Sequence, residues 1–458
     1  MINLNDNFYK MKYKKYKNKY ITIKNQYGGI VESPSMLRVA EETINKDYKL
    51  PDKTNITELT FSYNTVDNDG AAKIAEFIKK LTTLQEFQFW YNTIENKVIQ
   101  IIAASLKTLN TPEKLEKLDI GADKIANKDF IVFAESFAKM TGLKSLLIQY
   151  NKIDNKGASA LASSFKHMSH LTSLNLAYTR FDSHGADALA EGFKNLLNLT
   201  SLNLDSTNFG DSVRALAEGF KNMSKLTNLN LSSNNFGSEG AIALVPGFTH
   251  TSTLQILNLS SNDFGNKGTI ALAEGFTNMS TLQNLSLSNN SIDNDGAITL
   301  ARSFHNISDL KYLSLNHNTI GNNGASALAN SFKHIKQLTE LDLGGNNIGN
   351  NGAIALADSL KYILQLKHLR LHNNKISDKG AIKLVNSFPN NNKYNTLDLS
   401  FNYISNKSES TLTQTVINKY QLYITNQKKQ ENSQICIPNV NGSHTTIAEC
   451  ESNDDTNT

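Results

Sequence analysis

The sequence predicts an α/β solenoid, a curved stack of strand-helix units, from three observations. A unit of the form L-x-x-L-x-L-x-x-N-x-I/F-x-x-x-G-A-x-x-L-A-x-x-F recurs at a step of 28 residues. Its first half alternates apolar and polar residues, whereas its second half spaces Ala and Leu three to four apart. The chain of 458 residues is also too long for one compact core. A solenoid avoids that limit because each unit buries its apolar face against its neighbours.

Thirteen units can be aligned by their first residue. The step is 28 residues, apart from 31 across the insertion LKTLNTPEKL and 27 after Leu199, where one residue is lost. Repeats are numbered one to thirteen, and positions are counted from the first residue of each repeat. The repeats start at Ile56, Leu84, Leu115, Leu143, Leu171, Leu199, Leu226, Leu254, Leu282, Leu310, Leu338, Leu366 and Tyr394.

Each unit is predicted to form one short strand and one helix. Positions 4 and 6 are apolar between polar positions 3, 5 and 7, which is typical of a strand with one buried face. Stacked strands lie about 4.8 Å apart, whereas packed helices need about 10 Å. Equal numbers of each therefore predict a horseshoe with parallel strands on the concave face and helices on the convex face.

Position 9 carries asparagine in most repeats, where the chain leaves the strand. An amide both donates and accepts, so it can satisfy turn backbone groups that no neighbouring strand reaches. Asp123, Thr179 and Thr207 replace it in three repeats, and we expect those turns to be weaker. The members of this structural asparagine ladder in the middle of the array are Asn234, Asn262, Asn290, Asn318, Asn346 and Asn374.

The helical half carries two further signals. Glycine at position 15 is predicted to precede the helix in a close-packed turn, with Asn or Asp nearby as N-caps. A phosphate loop is disfavoured because neither G-x-x-x-x-G-K-[ST] nor G-x-G-x-x-G occurs. Pro246 stands inside the helical half of repeat seven, where it removes a hydrogen bond. We therefore predict a shortened or kinked helix in that repeat.

The repeat resembles the leucine-rich repeat of the ribonuclease-inhibitor-like class over roughly residues 56–421. The resemblance implies a horseshoe whose concave, strand-lined surface binds protein partners. The class also includes GTPase-activating proteins of the Ran type and the sensor halves of innate immune receptors. The inhibitor itself is rich in cysteine, whereas the repeats here contain none. Inhibition of ribonuclease is therefore not implied.

The chain divides into four predicted segments: a basic Tyr/Lys leader, helical or disordered, at 1–30; an N-terminal cap at 31–55; the solenoid with its C-terminal cap at 56–424; and a disordered, polar, acidic tail at 425–458. The N-terminal cap is predicted to be a helix that covers repeat one with Met36, Leu37, Val39 and Ile44.

The leader has a pattern of its own. Residues 1–30 carry seven Lys and one Asp, a charge of +6, with the lysines mostly away from a seam of aromatic residues. The seam has the 4-3-4-3-4 spacing of a helix that packs against a partner. It consists of Tyr9, Tyr13, Tyr16, Tyr20, Ile23 and Tyr27. The leader is similar to basic Tyr/Lys N-terminal segments of giant DNA virus proteins. A docking helix, a basic arm for nucleic acid or an anionic membrane surface, and a solvated tail all remain open.

Composition limits the other possibilities. The formal charge is +4 overall, and the repeats are nearly neutral, so no specific nucleic acid is expected to bind them. Only Cys436 and Cys450 are present, both in the tail, which excludes a disulfide framework and a cysteine-based zinc site for the repeats. No apolar run is long enough to span a membrane, and the N-terminus lacks the apolar core of a signal peptide. A cytoplasmic protein is expected, in the host cytoplasm if the chain is viral.

Repeat twelve offers the nearest approach to catalytic chemistry. His368, Arg370 and His372 occupy positions 3, 5 and 7 and project into the concavity. The two histidines lie about 13 Å apart along a strand, too far for one metal ion. We predict no catalytic residue, no metal and no cofactor. The alternative is a GTPase-activating type of regulator with Arg180 or Arg370 as an arginine finger.

The sequence therefore predicts a non-catalytic scaffold that binds a protein partner on its concave face. Aromatic residues and arginine are the favoured anchors of such surfaces. One predicted group, projecting from the second, fourth and fifth strands, comprises Trp90, Tyr91, Tyr150 and Tyr178; a second group toward the C-terminus comprises Tyr312, His368, Arg370, His372 and Phe401. The convex helices, with Lys, Asn, Asp and Ser outward, are expected to bind nothing.

Overall fold

The computed structural model describes residues 30–425, except 33–34, 96, 122–124, 126, 180, 182, 390–393 and 417–418. The predicted helical or disordered leader, the predicted disordered tail with its two cysteines, and the residues Asp123 and Arg180 lie outside the described residues.

The strands of the described chain form one long sheet and one narrow sheet. In the long sheet, every neighbouring pair from β2 to β19 is parallel, and β1 alone runs antiparallel, beside β2. The long sheet consists of β1 (Ile30–Glu32), β2 (Met36–Ala40), β4 (Glu58–Ser62), β6 (Glu86–Trp90), β8 (Lys117–Asp119), β9 (Ser145–Leu147), β10 (Ser173–Asn175), β11 (Ser201–Asn203), β12 (Asn228–Asn230), β13 (Ile256–Asn258), β14 (Asn284–Ser286), β15 (Tyr312–Ser314), β16 (Glu340–Asp342), β17 (His368–Arg370), β18 (Thr396–Asp398) and β19 (Gln421–Tyr423). The narrow sheet consists of β3 (Thr43–Ile44), β5 (Thr65–Val66) and β7 (Thr93–Ile94).

One helix follows each strand of the repeats. Each helix packs on the helix of the next repeat, which builds the convex layer behind the concave sheet. The helices are α1 (Asn68–Lys80), α2 (Val98–Lys107), α3 (Asn127–Ser136), α4 (Asn155–Ser164), α5 (Ser183–Phe193), α6 (Val213–Phe220), α7 (Gly237–Phe248), α8 (Gly265–Gly275), α9 (Asn294–Ser303), α10 (Asn322–Ser331), α11 (Asn350–Ser359), α12 (Asp378–Ser387) and α13 (Asn406–Val416). The α/β horseshoe predicted from the repeat spacing is thus confirmed.

The core lies between the sheet and the helices. In repeat eight, Leu257 and Leu259 at positions 4 and 6 are buried, and Leu257 pairs with Leu229 of repeat seven and Leu285 of repeat nine. Because equivalent positions pair across the sheet, the same apolar columns run from repeat to repeat. The short strands therefore share one continuous core.

The asparagines of position 9 join neighbouring repeats through buried hydrogen bonds. Asn262 Nδ2 donates to the carbonyl oxygens of Leu231 at 2.9 Å and Leu259 at 3.1 Å, one in each of two repeats. Its Oδ1 accepts from the backbone N–H of Asn234 at 2.9 Å. Thr207 has a single hydroxyl proton, which it shares between the Leu204 carbonyl of its own repeat at 2.7 Å and Asn234 Oδ1 of the next repeat at 3.0 Å. A threonine therefore makes fewer bonds between repeats than an asparagine does.

A second asparagine series, at position 13, was not anticipated. Asn294 Oδ1 accepts from the N–H groups of Gly321 at 3.0 Å and Gly324 at 2.7 Å, at the start of the next repeat's helix. Asn322 does the same for Gly349 and Gly352, at 2.9 Å each. These helices are therefore capped by the preceding repeat, and α10 and α11 have no side-chain cap of their own.

The prediction that glycine at position 15 precedes the helix was wrong by about one turn. Gly352 lies inside the first turn of α11 and is buried. A Cβ there would lie 3.0 Å from Asn322 Oδ1 and 3.1 Å from the Cβ of Ala325. The glycine is needed for this close approach between helices, which also brings the asparagine of position 13 to the next helix.

The N-terminal cap is not the predicted helix. Residues Met36–Ala40 and Thr43–Ile44 are strands, and Leu37, Val39 and Ile44 are fully buried against repeat one. They pair in register with Leu59, Phe61 and Val66, which occupy positions 4, 6 and 11. The segment is therefore the strand half of one more unit, and its apolar spacing had been taken for a helical one.

The last helix is followed by an additional strand. β19 pairs in parallel with β18, and the half-repeat at this end buries Tyr420, whose hydroxyl donates to the Val385 carbonyl at 2.9 Å. Burial raises the pKa of this phenol well above its usual value. Both ends of the described sheet thus carry a partial unit on the core.

The prediction that Pro246 shortens its helix was wrong, whereas the predicted kink stays a prediction. Helix α7 continues from Gly237 through Pro246 to Phe248. The proline ring is exposed, and Ile242, whose carbonyl loses its usual N–H partner, is also 38% exposed. Water can therefore satisfy the released carbonyl, and the ring meets no neighbouring helix.

Candidate protein-interaction surface

Position 8, in the turn directly after the strand, has a left-handed backbone throughout the described repeats. Its φ angles lie between 52° and 66°. The column consists of Glu41, Tyr63, Tyr91, Tyr150, Tyr178, Ser206, Ser233, Ser261, Asn289, His317, Gly345, Asn373 and Phe401. Left-handed backbone suits Gly and Asn, whereas for a bulky residue it is an outlier that costs about 1–2 kcal/mol.

The tyrosines of this column form a stack with the chain's only tryptophan. Tyr63 lies parallel to Tyr91 with ring centroids 5.4 Å apart, and Trp90 meets both rings edge-on at 5.2 and 5.6 Å. Two repeats further on, Tyr150 and Tyr178 stack at 4.5 Å with an interplanar angle of 7°. We call these five residues, Tyr63, Trp90, Tyr91, Tyr150 and Tyr178, the N-terminal aromatic surface.

Trp90 and Tyr91 differ in their position relative to the strand and in their exposure. Trp90 ends β6 at position 7 and is half-buried, whereas Tyr91 is 40% exposed. The indole Nε1–H of Trp90 is buried and meets no acceptor among the described residues. A buried donor without an acceptor is costly unless a ligand or partner supplies one.

The structure corrects the predicted origin of three of these rings. Tyr91, Tyr150 and Tyr178 were expected to project from the strands, but each follows its strand and lies in the left-handed turn. They therefore line the edge of the concave face where the strands end. Tyr63 was missed, although counting position 8 in repeat one would have identified it.

A buried carboxylate lies next to this surface in repeat six. Burial raises the pKa of Asp205, although hydroxyls of Ser232, Ser206, Tyr178 and Ser233 donate to it and lower that pKa in part. The Ser232 and Ser206 hydroxyls lie 2.9 and 3.1 Å from Oδ1. Tyr178 is thus connected to the first of the serines that replace tyrosine at position 8.

A second carboxyl group of raised pKa, half-buried, lies in repeat three. Burial raises the pKa of Asp119 to about 6, although the Gly121 N–H, the Lys117 ammonium and the Gln149 amide each lower it. The Gly121 N–H donates to Oδ1 at 3.0 Å. The carboxyl group of Asp119 is therefore protonated more readily in the folded chain than in an unfolded one.

The C-terminal group predicted from the sequence is a network of paired charges. Arg370 Nη1 lies 3.4 Å from Glu340 Oε2, and His372 Nδ1 lies 3.6 Å from Asp398 Oδ2. His368 Nδ1 lies 2.8 Å from the Thr396 hydroxyl. Arg370 and His368 thus already have partners within the chain, whereas His372 Nδ1 makes no hydrogen bond among the described residues.

Tyr312 and Phe401 lie on either side of this network. Burial raises the pKa of Tyr312, and Asp342 and Glu340 raise it further. Phe401 is 45% exposed in the left-handed column, three repeats beyond Tyr312. The structure thus places the C-terminal residues on neighbouring strands, well separated from the N-terminal aromatic surface by repeats with Ser or Asn at position 8.

The convex face is less polar than expected. Ile242, Ile270 and Ile382 occupy the same helical position in three repeats and are 37–43% exposed. The expectation of a purely polar convex face was therefore wrong. Nothing in the described chain indicates what would cover these isoleucines.

The part of the chain that the structure describes shows neither a metal site nor a membrane-spanning helix. No group of three or more His, Cys, Asp or Glu side chains there could hold a metal ion. None of the helices described is both long enough and apolar enough to cross a membrane.

Comparison with known proteins supports the repeat assignment. Nine segments match the model of the family described as Leucine Rich repeat: residues 52–75, 139–162, 167–190, 222–245, 250–273, 278–301, 306–329, 335–357 and 365–385. The chain therefore contains leucine-rich repeats and folds as a leucine-rich-repeat solenoid. No curated protein sequence matches it.

Solved structures with a similar fold include a crystal structure of an internalin from Listeria monocytogenes. It has 19% identity and a TM-score of 0.48, and the match covers 86% of this chain and 87% of that one. A crystal structure of the TLR13–ssRNA13 complex has 18% identity and a TM-score of 0.46, covering 87% of this chain and 60% of that one.

Proposed function

We propose that the protein is a non-catalytic scaffold whose N-terminal aromatic surface binds a protein partner. Leucine-rich-repeat proteins generally serve as protein-interaction scaffolds, and the nine matching segments support that role here. All thirteen sequence units, including those outside the matches, are proposed to be repeats of the ribonuclease-inhibitor-like class. The site and the occupant proposed below go beyond the family relationship.

One observation carries the proposal: tyrosine occupies a backbone position that disfavours it. At position 8, most later repeats have Ser, Asn or Gly with the same left-handed φ, and only His317 and Phe401 carry rings among those described, so the solenoid does not need a ring there. Four tyrosines nevertheless stand in this column at the N-terminal end. Residues that cost stability without serving the fold are typical of functional sites.

The chemistry of the surface fits a protein partner. Aromatic rings bury a large area with few rotatable bonds, and Trp and Tyr are enriched among the residues that dominate binding energy. The indole N–H of Trp90 is buried, so a backbone carbonyl of the partner would accept from it only after the side chains that cover it move. A partner of mixed aromatic and acceptor character therefore suits this surface better than a purely charged one.

The alternative, a regulator of a small GTPase, is less well supported. An arginine finger must extend its guanidinium into the active site of the GTPase. Arg370 is paired with Glu340, and Arg180 lies outside the described residues. We therefore favour the scaffold.

The test starts from partners captured by the repeats in a lysate and then identified and purified. Trp90→Ala combined with Tyr150→Ala is expected to weaken binding of the purified partner about tenfold or more. Both side chains lie at the surface, so the fold should persist, which an unchanged far-UV spectrum would verify. Tyr362→Ala, an exposed ring on the helical side, is the control and should leave binding unchanged.

Retention of full affinity by the double variant would refute the proposed site. If affinity instead fell with the paired variant Arg370→Ala and His372→Ala, the C-terminal network would be the binding surface.

A further inference from the structure

The basic leader joins the solenoid at the edge that carries the aromatic column. β1 is antiparallel to β2, and Ile30 pairs with Val39, which in turn pairs with Phe61 of repeat one. Tyr63 lies only two residues beyond Phe61. Two glycines, Gly28 and Gly29, stand directly before Ile30, where they permit the sharp turn that a returning segment needs.

The leader also has the right length. If residues 9–27 are helical, as their spacing predicts, the seam from Tyr9 to Tyr27 is about 27 Å long. The distance from β4 to β10 across the sheet is about 19 Å, at about 4.8 Å for each of the four steps. One helix laid across the strands would therefore span the column from Tyr63 to Tyr178.

The charges are complementary. The leader carries +6 up to residue 29, whereas the acidic residues Glu41 and Glu42 directly follow β2, beside the point where the leader joins the sheet. Opposite charge adds a long-range attraction to the contact between rings.

We propose that the leader docks on the N-terminal aromatic surface of its own chain, with its tyrosine seam against Tyr63, Trp90, Tyr91, Tyr150 and Tyr178. The indole N–H of Trp90 is buried below this surface, and a tyrosine hydroxyl of the seam would become its acceptor only if the side chains that cover it moved. The occupant thus combines aromatic, basic and acceptor groups, each of which the surface matches.

Docking would make partner binding competitive, and this part of the inference rests on the proposed function. A partner would have to displace the leader, so the apparent affinity of the full chain would be lower than that of a chain with a defective leader. The docking itself requires no partner and can be tested alone.

The chain offers a direct probe because Trp90 is its only tryptophan. The fluorescence of the full chain therefore reports on this surface without labelling. The informative variant replaces Tyr9, Tyr13, Tyr16 and Tyr20 by Ser in the full-length protein. Its matched control replaces Asn5, Asn7, Asn18 and Asn25 by Ser, which lie in the same segment but off the seam.

We expect acrylamide to quench Trp90 about twofold more strongly in the seam variant than in the wild type, with a red-shifted emission, because the docked helix shields the indole. The control should match the wild type. Raising NaCl from about 0.05 to 0.5 M should shift the wild type toward the seam variant, since salt screens the charge attraction.

Equal quenching in the wild type and the seam variant, at matched far-UV spectra, would overturn the docking proposal. That result would leave the proposed partner site intact, because the partner assay does not involve the leader. The converse result is that the leader docks as expected while Trp90→Ala combined with Tyr150→Ala leaves partner binding unchanged. That result would refute the proposed function alone.

Discussion

Repeats seven to twelve and repeats one to six differ in the residues that form the turn after each strand. In the later group, position 9 is always asparagine, and from repeat eight onward position 13 also bonds to the next repeat. In the earlier group, Thr179 and Thr207 interrupt the first series, and tyrosines occupy the left-handed turns. The later repeats thus keep the position-9 series unbroken, whereas the earlier ones interrupt it with buried threonines and carry tyrosines in the turns of the surface that we propose binds a partner.

The comparison teaches that position 8 tolerates a ring but does not require one. Ser261 and Asn289 adopt the same φ as Tyr91 within a few degrees. The difference between the two groups is therefore chemical and not conformational. A substitution that makes one group of repeats resemble the other therefore tests stability and binding separately.

Removing an asparagine from the uninterrupted part of the position-9 ladder should lower the free energy of unfolding the most. Asn262→Ala removes the partners of two buried carbonyls and of the Asn234 N–H, and we expect a loss of about 1–3 kcal/mol in the free energy of unfolding. Urea denaturation would measure it, with the exposed Asn278→Ala as a control near zero. An unchanged midpoint for Asn262→Ala would remove the structural role assigned to position 9.

Each asparagine at position 13 should contribute somewhat less to the free energy of unfolding than one at position 9. Asn322→Ala deletes the acceptor for the first turn of α11, and we expect a loss of about 1 kcal/mol, as for a local N-cap. Its neighbour Asn323→Ala is exposed and serves as the matched control. If both variants lost the same amount, helix propensity and not capping by the preceding repeat would explain the effect.

Restoring asparagine where the position-9 ladder is interrupted should raise the free energy of unfolding. Thr207→Asn gives repeat six a second donor, and we expect a gain of about 0.5–1 kcal/mol in the same denaturation experiment. A loss of stability would mean that the surroundings of position 207 are already adapted to threonine. The two groups of repeats would then differ in more than this ladder.

The carboxyl group of Asp119 should add a pH dependence to the earlier group. Its folded-state pKa of about 6 lies above the unfolded value of 3.8, so its contribution is fully present below pH 3.8 and is lost as the pH rises through 6. Asp119→Asn should remove this dependence. The difference in unfolding free energy between wild type and variant should move in the variant's favour from pH 4 to about 6 and level off at higher pH; a constant difference would contradict the raised pKa.

Much of the fold followed from the sequence because a repeat presents the same physical choice many times. Position 9 could be identified because its asparagine recurs within an apolar pattern and its amide must be satisfied where the strand ends. The cap was misassigned because Met36, Leu37 and Val39 occur only once, and so short an apolar run fits a strand or a helix equally well. Pro246 was misjudged because exposure, which the sequence does not give, decides whether a lost hydrogen bond is costly.

The site could be predicted only in part. Ring chemistry and register predict Trp90, Tyr91, Tyr150 and Tyr178 as anchors, which stays a prediction, but the backbone conformation of the three tyrosines depends on a turn that has no glycine signature. Bonds such as that of Asn322 to the next helix arise only when repeats stack, so inspection of a single unit could not reveal them. The pairing of Arg370 with Glu340 likewise depends on strand register.

The most direct test of the central claim is the unfolding free energy of the double variant Tyr150→Asn with Tyr178→Asn. Loss of the stacked pair costs about 0.5–1.5 kcal/mol, and relief of two unfavourable left-handed tyrosines returns a similar amount. If the rings serve binding, the stability should stay within about 1 kcal/mol of the wild type. A loss above about 3 kcal/mol would show that the tyrosines hold the solenoid together and would contradict the account.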